Sequence, residues 1–299
     1  MGRVLVIGSA NTDMVVRVPR LPAPGETILG GTFRQMPGGK GANQAVAAAR
    51  LGAEVTLMAC VGADALGEAT VERWQAIGIN TAYVARSRTA ATGVALITVD
   101  AHGENSIAVA SGANQELRPG HLVRQAFAEA DVVLLQLEVP MATISAAVEM
   151  AHAEGCCVVL NPAPARAVPA SLLQHIHILT PNEHEFRQMS GATTPLEAAA
   201  WREHTGVTHL VVTQGAKGAA WYADEGLHHI AAHHVTAIDT TGAGDVFNGA
   251  LAASYARGLP IATALANASA AAAFAVTQSG AQPEELGPTA VASLIDDEQ

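Results

Sequence analysis

The stretch with the clearest chemical potential is Asp239-Thr-Thr-Gly-Ala-Gly-Asp245, which follows a short apolar segment and precedes an alanine-rich pattern typical of a helix. A helix that begins here leaves the amides of Gly242, Ala243 and Gly244 without partners inside the helix, where the helix dipole favours an anion. Asp245 places one carboxylate at the end of this run. Amides that stabilise an anion, beside a carboxylate that accepts a hydroxyl proton, suit phosphoryl transfer. Asp and Gly are also ordinary residues at a helix N-terminus, so a simple cap remains an alternative.

A second group of polar residues follows the predicted strands nearer the N-terminus. The group consists of Asn11, Asp13, Gly39, Lys40, Asn43 and Glu138. Together these residues supply acceptors, donors and backbone amides, which is the mixture that surrounds a polyhydroxylated sugar. A plain turn at Asn11 and Asp13, and a solvated charge at Lys40, are the alternatives.

Two further segments could handle a nucleotide. Asn182 and Glu185 fall on one side of a predicted first helical turn, where Glu185 could hold a water-bound Mg²⁺. The same pair could equally form a capping box. Thr213 and Gly215 open a glycine-rich turn directly after a strand, which suits nucleotide phosphates. The sequence contains neither a Gly-x4-Gly-Lys-Ser/Thr loop nor a Gly-x-Gly-x-x-Gly after a strand, so phosphate binding would fall to these other segments.

The composition excludes several classes of protein. Of the 299 residues, 49% are hydrophobic and 14% are charged, which provides a core and gives no sign of disorder. A formal charge of −11 with 4% aromatic residues argues against nucleic-acid binding. The three cysteines show neither a disulfide framework nor zinc spacing. We find no signal peptide and no run long enough to span a membrane, so we expect a cytoplasmic, soluble protein.

The pattern of elements predicts an α/β fold. Continuous apolar strands alternate with amphipathic helices, which indicates a three-layer αβα body around a mostly parallel, Rossmann-like sheet. Two β excursions, near residues 12–41 and 90–113, are expected to pair as a small separate sheet that covers the site as a lid. We expect residues 1–299 to form one domain. Residues 54–61 are expected to be one strand, and residues 119–130 one helix.

Five motifs, taken in order and spacing, resemble the PfkB, or ribokinase-type, family of carbohydrate kinases. They are Gly38-Gly-Lys-Gly-Ala-Asn-Gln44, Leu137-Glu138, Asn161-Pro-Ala-Pro-Ala165, Pro181-Asn-Glu183 and Asp239-Thr-Thr-Gly-Ala-Gly-Asp245. The resemblance covers residues 8–283, and within the family it is strongest to the members that phosphorylate D-ribose.

This resemblance implies a role for each matching residue. Asp245 is expected to be the catalytic base, with Gly242, Ala243 and Gly244 as the anion hole. The expected sugar ligands are Asn11, Asp13, Gly39, Lys40, Asn43, Glu138 and Asp245. The expected nucleotide ligands are Asn182, Thr213, Gly215, Gly242, Gly244 and Ser269, while Glu185 is expected to act on Mg²⁺ through water.

Family members also bind a monovalent cation beside the anion hole. The matching positions are Asp239, Thr241, Ala275, Gln278, Gly280 and Glu284. Two positions depart from the family pattern: Glu284 stands where Ser is common, and Ser269 stands where many members place His or Asn against adenine.

The implied reaction is ATP-dependent phosphorylation of D-ribose at its 5-hydroxyl, giving D-ribose 5-phosphate in ribose catabolism. The resemblance further implies a need for Mg²⁺, stimulation by K⁺, and a homodimer formed through the lid. Two alternatives stay open: a related kinase acting on 2-deoxyribose, a nucleoside or a ketose, and a non-catalytic sugar-binding protein.

Overall fold

The computed structural model describes residues 1–296, so residues 297–299 of the expected domain lie outside the described residues. The strands are Arg3–Ile7 (β1), Asn11–Arg17 (β2), Thr32–Gly38 (β3), Glu54–Met58 (β4), Cys60–Gly62 (β5), Ala85–Ser87 (β6), Gly93–Val99 (β7), Asn105–Ala110 (β8), Val132–Leu135 (β9), Cys157–Leu160 (β10), Ile178–Leu179 (β11), His209–Thr213 (β12), Ala219–Ala223 (β13) and Gly226–Ile230 (β14). The helices are Lys40–Arg50 (α1), Ala65–Ala76 (α2), Arg124–Ala128 (α3), Met141–Glu154 (α4), Ala170–Leu173 (α5), Glu183–Ser190 (α6), Pro195–Thr205 (α7), Ala243–Ala256 (α8), Ile261–Val276 (α9) and Pro288–Asp296 (α10).

The main sheet has eight strands in the order β14-β13-β12-β11-β10-β9-β1-β4. The pairs from β12 through β4 are parallel, while β13 and β14 join as an antiparallel hairpin. Parallel strands need crossovers, and the intervening helices supply them on both faces. The predicted α/β fold with a mostly parallel sheet is therefore confirmed.

Side chains of the buried strands alternate between two cores, one on each face of the sheet. In β1, Val4 and Val6 pack into the core that includes α1, α8 and α9. Leu5 and Ile7 point the other way, into the core that includes α4 and α7. Because both faces of each strand are covered, the strands are apolar throughout, which is the pattern that the sequence shows.

A smaller sheet of four strands, in the order β3-β2-β7-β8, is built from the two predicted excursions. The outer pairs are antiparallel, and the central strands β2 and β7 run parallel. Strand β2 follows β1 after only three residues, so the small sheet leaves the main sheet at the carboxyl end of β1. That edge is where parallel sheets place their ligands.

Two expected elements differ from the structure. Residues 54–61 form two strands, because the chain leaves the main sheet after β4 and β5 pairs instead with β6. The Asp64 carboxylate helps to hold this departure, since it accepts hydrogen bonds from the Thr92 amide at 2.8 Å and hydroxyl at 2.7 Å. Within residues 119–130, only α3 is α-helical, because extended backbone at Leu122 and Val123 separates it from a turn at Pro119.

None of the helices within residues 1–296 combines the length and apolar character needed to cross a membrane.

Candidate active site

Asp245 lies in the first turn of α8 and is buried, with 6% of its surface exposed. Its carboxylate faces α1, which begins beside the carboxyl end of β1. The Asn43 side-chain amide donates to Asp245 Oδ2 at 2.9 Å, and the Gln44 amide donates to Oδ1 at 3.0 Å. Adjacent residues of one helix thus hold both oxygens of the carboxylate.

Close packing of α1 against α8 makes these hydrogen bonds possible. A Cβ built at Gly249 of α8 would lie 2.6 Å from both the Ala47 Cβ and the Gln44 carbonyl oxygen of α1. A larger residue would push the helices apart and lengthen the bonds to Asp245. Glycine at this position therefore sets the distance between the two helices.

The predicted sugar ligands gather around the start of α1. Glu138, in the loop after β9, accepts hydrogen bonds from the Ser9 hydroxyl and from the Lys40 amide, the latter at 3.0 Å. Asn11 begins β2, and its Oδ1 accepts from the Asn114 side-chain amide at 2.8 Å. The structure therefore brings Asn11 and Glu138 next to the helix start that carries Lys40.

Gly39 makes this arrangement sterically possible. Its φ is 90°, a conformation that favours glycine, and a Cβ built on it would lie 2.7 Å from the Asn11 amide nitrogen. Asp13 also lies very close to this glycine run, because a Cβ built at Gly38 would lie 2.2 Å from the Asp13 Oδ1. The glycines of the Gly38-Gly-Lys-Gly41 run thus let the start of α1 approach β2 closely.

Three carboxylates and one ammonium share this site. Burial, together with the charges of Glu138 and Asp245, raises the pKa of Asp13 to about 6. Burial also raises the pKa of Asp245, although Lys40 and the amides of Asn43 and Gln44 oppose the shift. Burial lowers the pKa of Lys40, but the charges of Asp245, Glu138 and Glu185 outweigh it, so its net pKa is raised. Lys40 is therefore the positive charge that offsets the carboxylates.

The glycine-rich turn before α8 adopts a left-handed conformation at Gly242, whose φ is 74°. A Cβ built at Gly244 would meet no described atom within 4 Å, so the backbone there is open to a ligand. The Ala243 amide was expected to lack a partner inside the helix, and its N–H instead donates to the Thr240 carbonyl, which lies before α8, at 3.3 Å. This long hydrogen bond closes the turn that precedes α8.

A groove of about 500 Å³ lies between the start of α6 and the end of β12. It is lined by Asn182, Glu183, His184, Arg187, Thr213, Gln214 and Gly215. The structure thus brings together Asn182, Thr213 and Gly215, which were predicted to bind a nucleotide. We call this the α6–β12 groove.

Asn182 and Glu185 form the capping box that was the alternative to metal binding. The Asn182 side chain accepts from the Glu185 amide at 2.8 Å, and the Glu185 carboxylate accepts from the Asn182 amide at 2.8 Å. The charge of Glu185 nevertheless acts on Lys40 and contributes to raising the Lys40 pKa. Ser269 lies elsewhere: its hydroxyl donates to the Ala231 carbonyl at 2.7 Å, and it does not line the groove.

The predicted cation residues lie where the turn before α8 meets the end of α9. Asp239 accepts from the Thr241 amide and from the Gly280 amide, each at 2.9 Å. Burial raises the pKa of Asp239, but these hydrogen bonds lower it more, so the net pKa is below its usual value. The end of α9 lies beside this turn, since the Ile238 and Asp239 amides donate to the Val276 carbonyl at 2.7 and 3.1 Å, and Val276 lies between Ala275 and Gln278 in the chain.

Glu284 does not share this setting. It is exposed, and its charge acts on Arg50, whose guanidinium binds the carbonyls of Gln282 and Pro283.

Several residues that shape the site were not singled out from the sequence. They are Ser9, Gln44, Asn114, Arg187 and Gln282. Gln44 falls inside the Gly38-Gly-Lys-Gly-Ala-Asn-Gln44 motif, whereas Asn114 carries no local signal of its position beside Asn11. Gln282 donates to the Asn43 Oδ1 at 2.9 Å, which links the segment after α9 to the Asp245 cluster.

Comparisons with known proteins point to one family. The pattern of the pfkB family carbohydrate kinases matches residues 1–286. A ribokinase of Bacillus subtilis is 39% identical over 284 residues, which cover 94% of this chain and 95% of that protein. A deoxyribokinase of Salmonella typhi is 37% identical over 287 residues, covering 93% of this chain and 94% of that protein.

Solved structures show the same likeness. A ribokinase of Arabidopsis thaliana, complexed with ribose and ATP, has a TM-score of 0.91 at 31% identity, and 98% of each chain is covered. The chain described here therefore belongs to the pfkB family of carbohydrate kinases.

Asp13 provides a test of the site's electrostatics. Its pKa of about 6 in the folded protein exceeds the value of about 3.9 for an unfolded chain. The unfolded chain therefore ionises first as pH rises, so this group costs stability progressively between about pH 4 and pH 6, and fully above that range. We expect Asp13→Asn to stabilise the sugar-free protein by about 2 kcal/mol at pH 8, with little gain at pH 4.

Urea unfolding at the two pH values measures this difference. Asp100→Asn, in the turn between β7 and β8, is the matched control and should change stability little at either pH. An equal effect of Asp13→Asn at both pH values would show that the carboxylate is not strained by burial.

Proposed function

We propose that this protein transfers the γ-phosphoryl group of ATP to the 5-hydroxyl of D-ribose, giving D-ribose 5-phosphate. The observation that carries the proposal is the convergence of sugar-binding groups from β2, α1 and the β9 loop on one buried carboxylate, Asp245. The likeness to ribokinases over almost the whole chain supports the same acceptor.

In this proposal, Asp245 accepts the proton of the attacking hydroxyl. Its two oxygens are already held by Asn43 and Gln44, so the base requires little reorganisation when the sugar binds. The backbone at Gly242 and Gly244 stabilises charge on the transferring phosphoryl group, with Ala243 contributing if its long bond to Thr240 opens. Asp13 and Glu138 accept hydrogen bonds from sugar hydroxyls, which supply donors to an acidic pocket.

The remaining sugar contacts come from Asn11, the Gly39 backbone, Lys40 and Asn43. The nucleotide lies in the α6–β12 groove against Asn182, Thr213 and Gly215, and Ser269 is the proposed contact for adenine outside that groove. Glu185 is the residue that would hold Mg²⁺ through water, since its charge acts on Lys40. Mg²⁺, when bound, neutralises charge on the nucleotide phosphates. Because the reaction uses ATP, we place the protein in the cytoplasm.

The strongest rival acceptor is 2-deoxyribose, because a deoxyribokinase is almost as similar to this chain as the ribokinases are. A non-catalytic sugar-binding protein is disfavoured by the intact carboxylate and its two amide donors.

One experiment separates these possibilities. Turnover of ATP is measured with Mg²⁺ and K⁺ for ribose, 2-deoxyribose, fructose, adenosine and fructose 6-phosphate, with the wild type and Asp245→Asn. We expect ribose to have the highest kcat/KM. Asp245→Asn should bind ribose in calorimetry yet lose about 10²- to 10⁴-fold in kcat, because the proton acceptor is removed while its shape is kept.

The outcomes are distinct. A preference for 2-deoxyribose would replace the acceptor, and near-normal turnover by Asp245→Asn would remove the base assignment. Saturable ribose binding without turnover by the wild type would identify a binding protein. Glu149→Gln, at an exposed position of α4, controls for loss of a carboxylate elsewhere and should behave as wild type.

We also propose that a monovalent cation, K⁺ in the cell, binds beside the anion hole. The proposed cation ligands are oxygen atoms, which suit a hard cation. They are the Asp239 carboxylate and the backbone carbonyls of Thr241, Ala275, Gln278 and Gly280. Glu284 is the sixth proposed position and the least supported one, because it is exposed and its charge acts on Arg50.

Replacing K⁺ by tetramethylammonium should lower kcat, because an ion of that size does not fit between the turn and α9. Asp239→Asn should reduce the difference between the two salts. Equal rates of the wild type in both salts would remove the cation site from the proposal.

Finally, we propose that the segments near residues 12–41 and 90–113 form a lid, and that two copies pair through it. The face of the small sheet that carries Met14, Val16, Phe33 and Leu96 supports this proposal, because strand alternation aligns these side chains. Phe33 and Leu96 are 59% and 56% exposed, an unusual state for neighbouring large apolar residues.

Phe33→Asp should therefore convert a dimer into a monomer in analytical ultracentrifugation, since it places a charge in the apolar face. Leu196→Asp changes an exposed leucine outside the small sheet and is the control. A wild-type protein that sediments as a monomer at micromolar concentration would contradict the dimer.

A further inference from the structure

One of the two side chains that donate to Asp245 is fully buried. Gln44 has no exposed surface, and its Nε2 donates both to Asp245 Oδ1 at 3.0 Å and to Asn161 Oδ1 at 3.1 Å. Its neighbour Asn43 also donates to Asp245, but Asn43 is itself a candidate sugar ligand. Gln44 is therefore the donor to this carboxylate that is not itself a candidate sugar ligand.

A second buried amide fixes the direction of Gln44. Gln136, also without exposed surface, donates from its Nε2 to the Gln44 Oε1 at 2.6 Å. With its oxygen engaged by Gln136, Gln44 must direct its NH₂ group at Asp245 and Asn161. In the reversed orientation, the Gln44 oxygen would face two acceptor oxygens, which is repulsive.

The packing leaves Gln136 little freedom. A Cβ built at Gly8 would lie 2.0 Å from the Gln136 Oε1, so glycine at this position makes room for the amide. The series Gln136 to Gln44 to Asp245 is thus a directed chain of hydrogen bonds that starts in the core and ends at the carboxylate.

The charges around Asp245 make this chain consequential. Glu138 and Asp13 are carboxylates that disfavour a further negative charge, while Lys40 favours it. Among the described charged residues, Lys40, Glu138 and Asp13 interact electrostatically with Asp245. A buried carboxylate with other carboxylates nearby needs hydrogen-bond donors to remain ionised.

We propose that Gln44 is a positioning residue for the reaction: oriented by Gln136, it keeps the Asp245 carboxylate ionised and fixed, with its free lone pairs turned to the acceptor hydroxyl. This inference rests on the proposed role of Asp245 as the base. Gln44 is thus proposed to affect proton acceptance by Asp245 and to have no effect on the contacts to the sugar.

The test is the pH dependence of single-turnover phosphorylation at saturating ribose and ATP. Saturation removes the contribution of sugar binding, so the acid limb reports groups in the ternary complex. Gln44→Met keeps the volume but removes the donor. A hydrogen bond to a charged group corresponds to a shift of about one to two pH units. We expect the acid limb to move upward by that amount, with near-normal rates at high pH and an unchanged ribose Kd.

Gln44→Glu is the second variant, because it preserves shape and places another carboxyl beside Asp245. Two carboxyls at one site share a proton, so its acid limb should move further upward than that of Gln44→Met. Gln75→Met, at an exposed position of α2, is the matched control and should leave the profile unchanged.

A rate loss in Gln44→Met that is the same at every pH, or that follows a weakened ribose Kd, would indicate a merely structural role and overturn the inference. An unchanged profile in both Gln44 variants would overturn it as well. Failure of the underlying function is recognised separately, because Asp245→Asn would then retain turnover whatever the Gln44 variants do.

Discussion

A carboxylate that is buried must be compensated by donors and by opposite charge, and the structure around Asp245 is arranged to meet that requirement. Helix α1 brings two neighbouring amides to the two carboxylate oxygens, and its first residue, Lys40, supplies the positive charge. The close contact at Gly249 sets the helix separation that these hydrogen bonds need. Packing and electrostatics are therefore one constraint at this site, since the donors depend on the distance between α1 and α8.

The site is acidic, although its proposed reaction handles phosphates. Burial and the charge of Glu138 together raise the pKa of Asp13, which costs stability in the protein without sugar. A neutral polyol relieves this strain because each hydroxyl can donate to a carboxylate. Residues that are well suited to a ligand are often poorly suited to the unliganded fold. The phosphate end has a different character, built from backbone amides and the α6–β12 groove.

Much of the fold could be predicted from the sequence, because buried parallel strands and amphipathic helices have distinct periodicities. The main sheet and the small sheet both follow from those patterns. The division of residues 54–61 could not be predicted, since both β4 and β5 are buried and the apolar run shows no break. The helix expected over residues 119–130 is shorter because extended backbone interrupts it, which periodicity does not reveal.

The candidate site was predictable to a similar degree. Residues inside motifs could be assigned by resemblance, and the structure gathers most of them around Asp245 and the groove. The supporting amides were not predictable, because Asn114 and Asn11, or Gln282 and Asn43, are 103 and 239 residues apart in the sequence. Such pairs form only after the chain has folded, and no local pattern marks them.

The position of β2 has a consequence for how such proteins diversify. Asn11 and Asp13 lie on the small sheet, whereas Asp245 and the glycine turn belong to the main body. Part of the proposed recognition of the acceptor thus belongs to a structural unit separate from the one that carries the proposed chemistry. Substitutions in the small sheet can alter the contacts to the acceptor sugar while the residues proposed for phosphoryl transfer stay unchanged. Within such a family, the preferred sugar can therefore change while the residues proposed for phosphoryl transfer are retained.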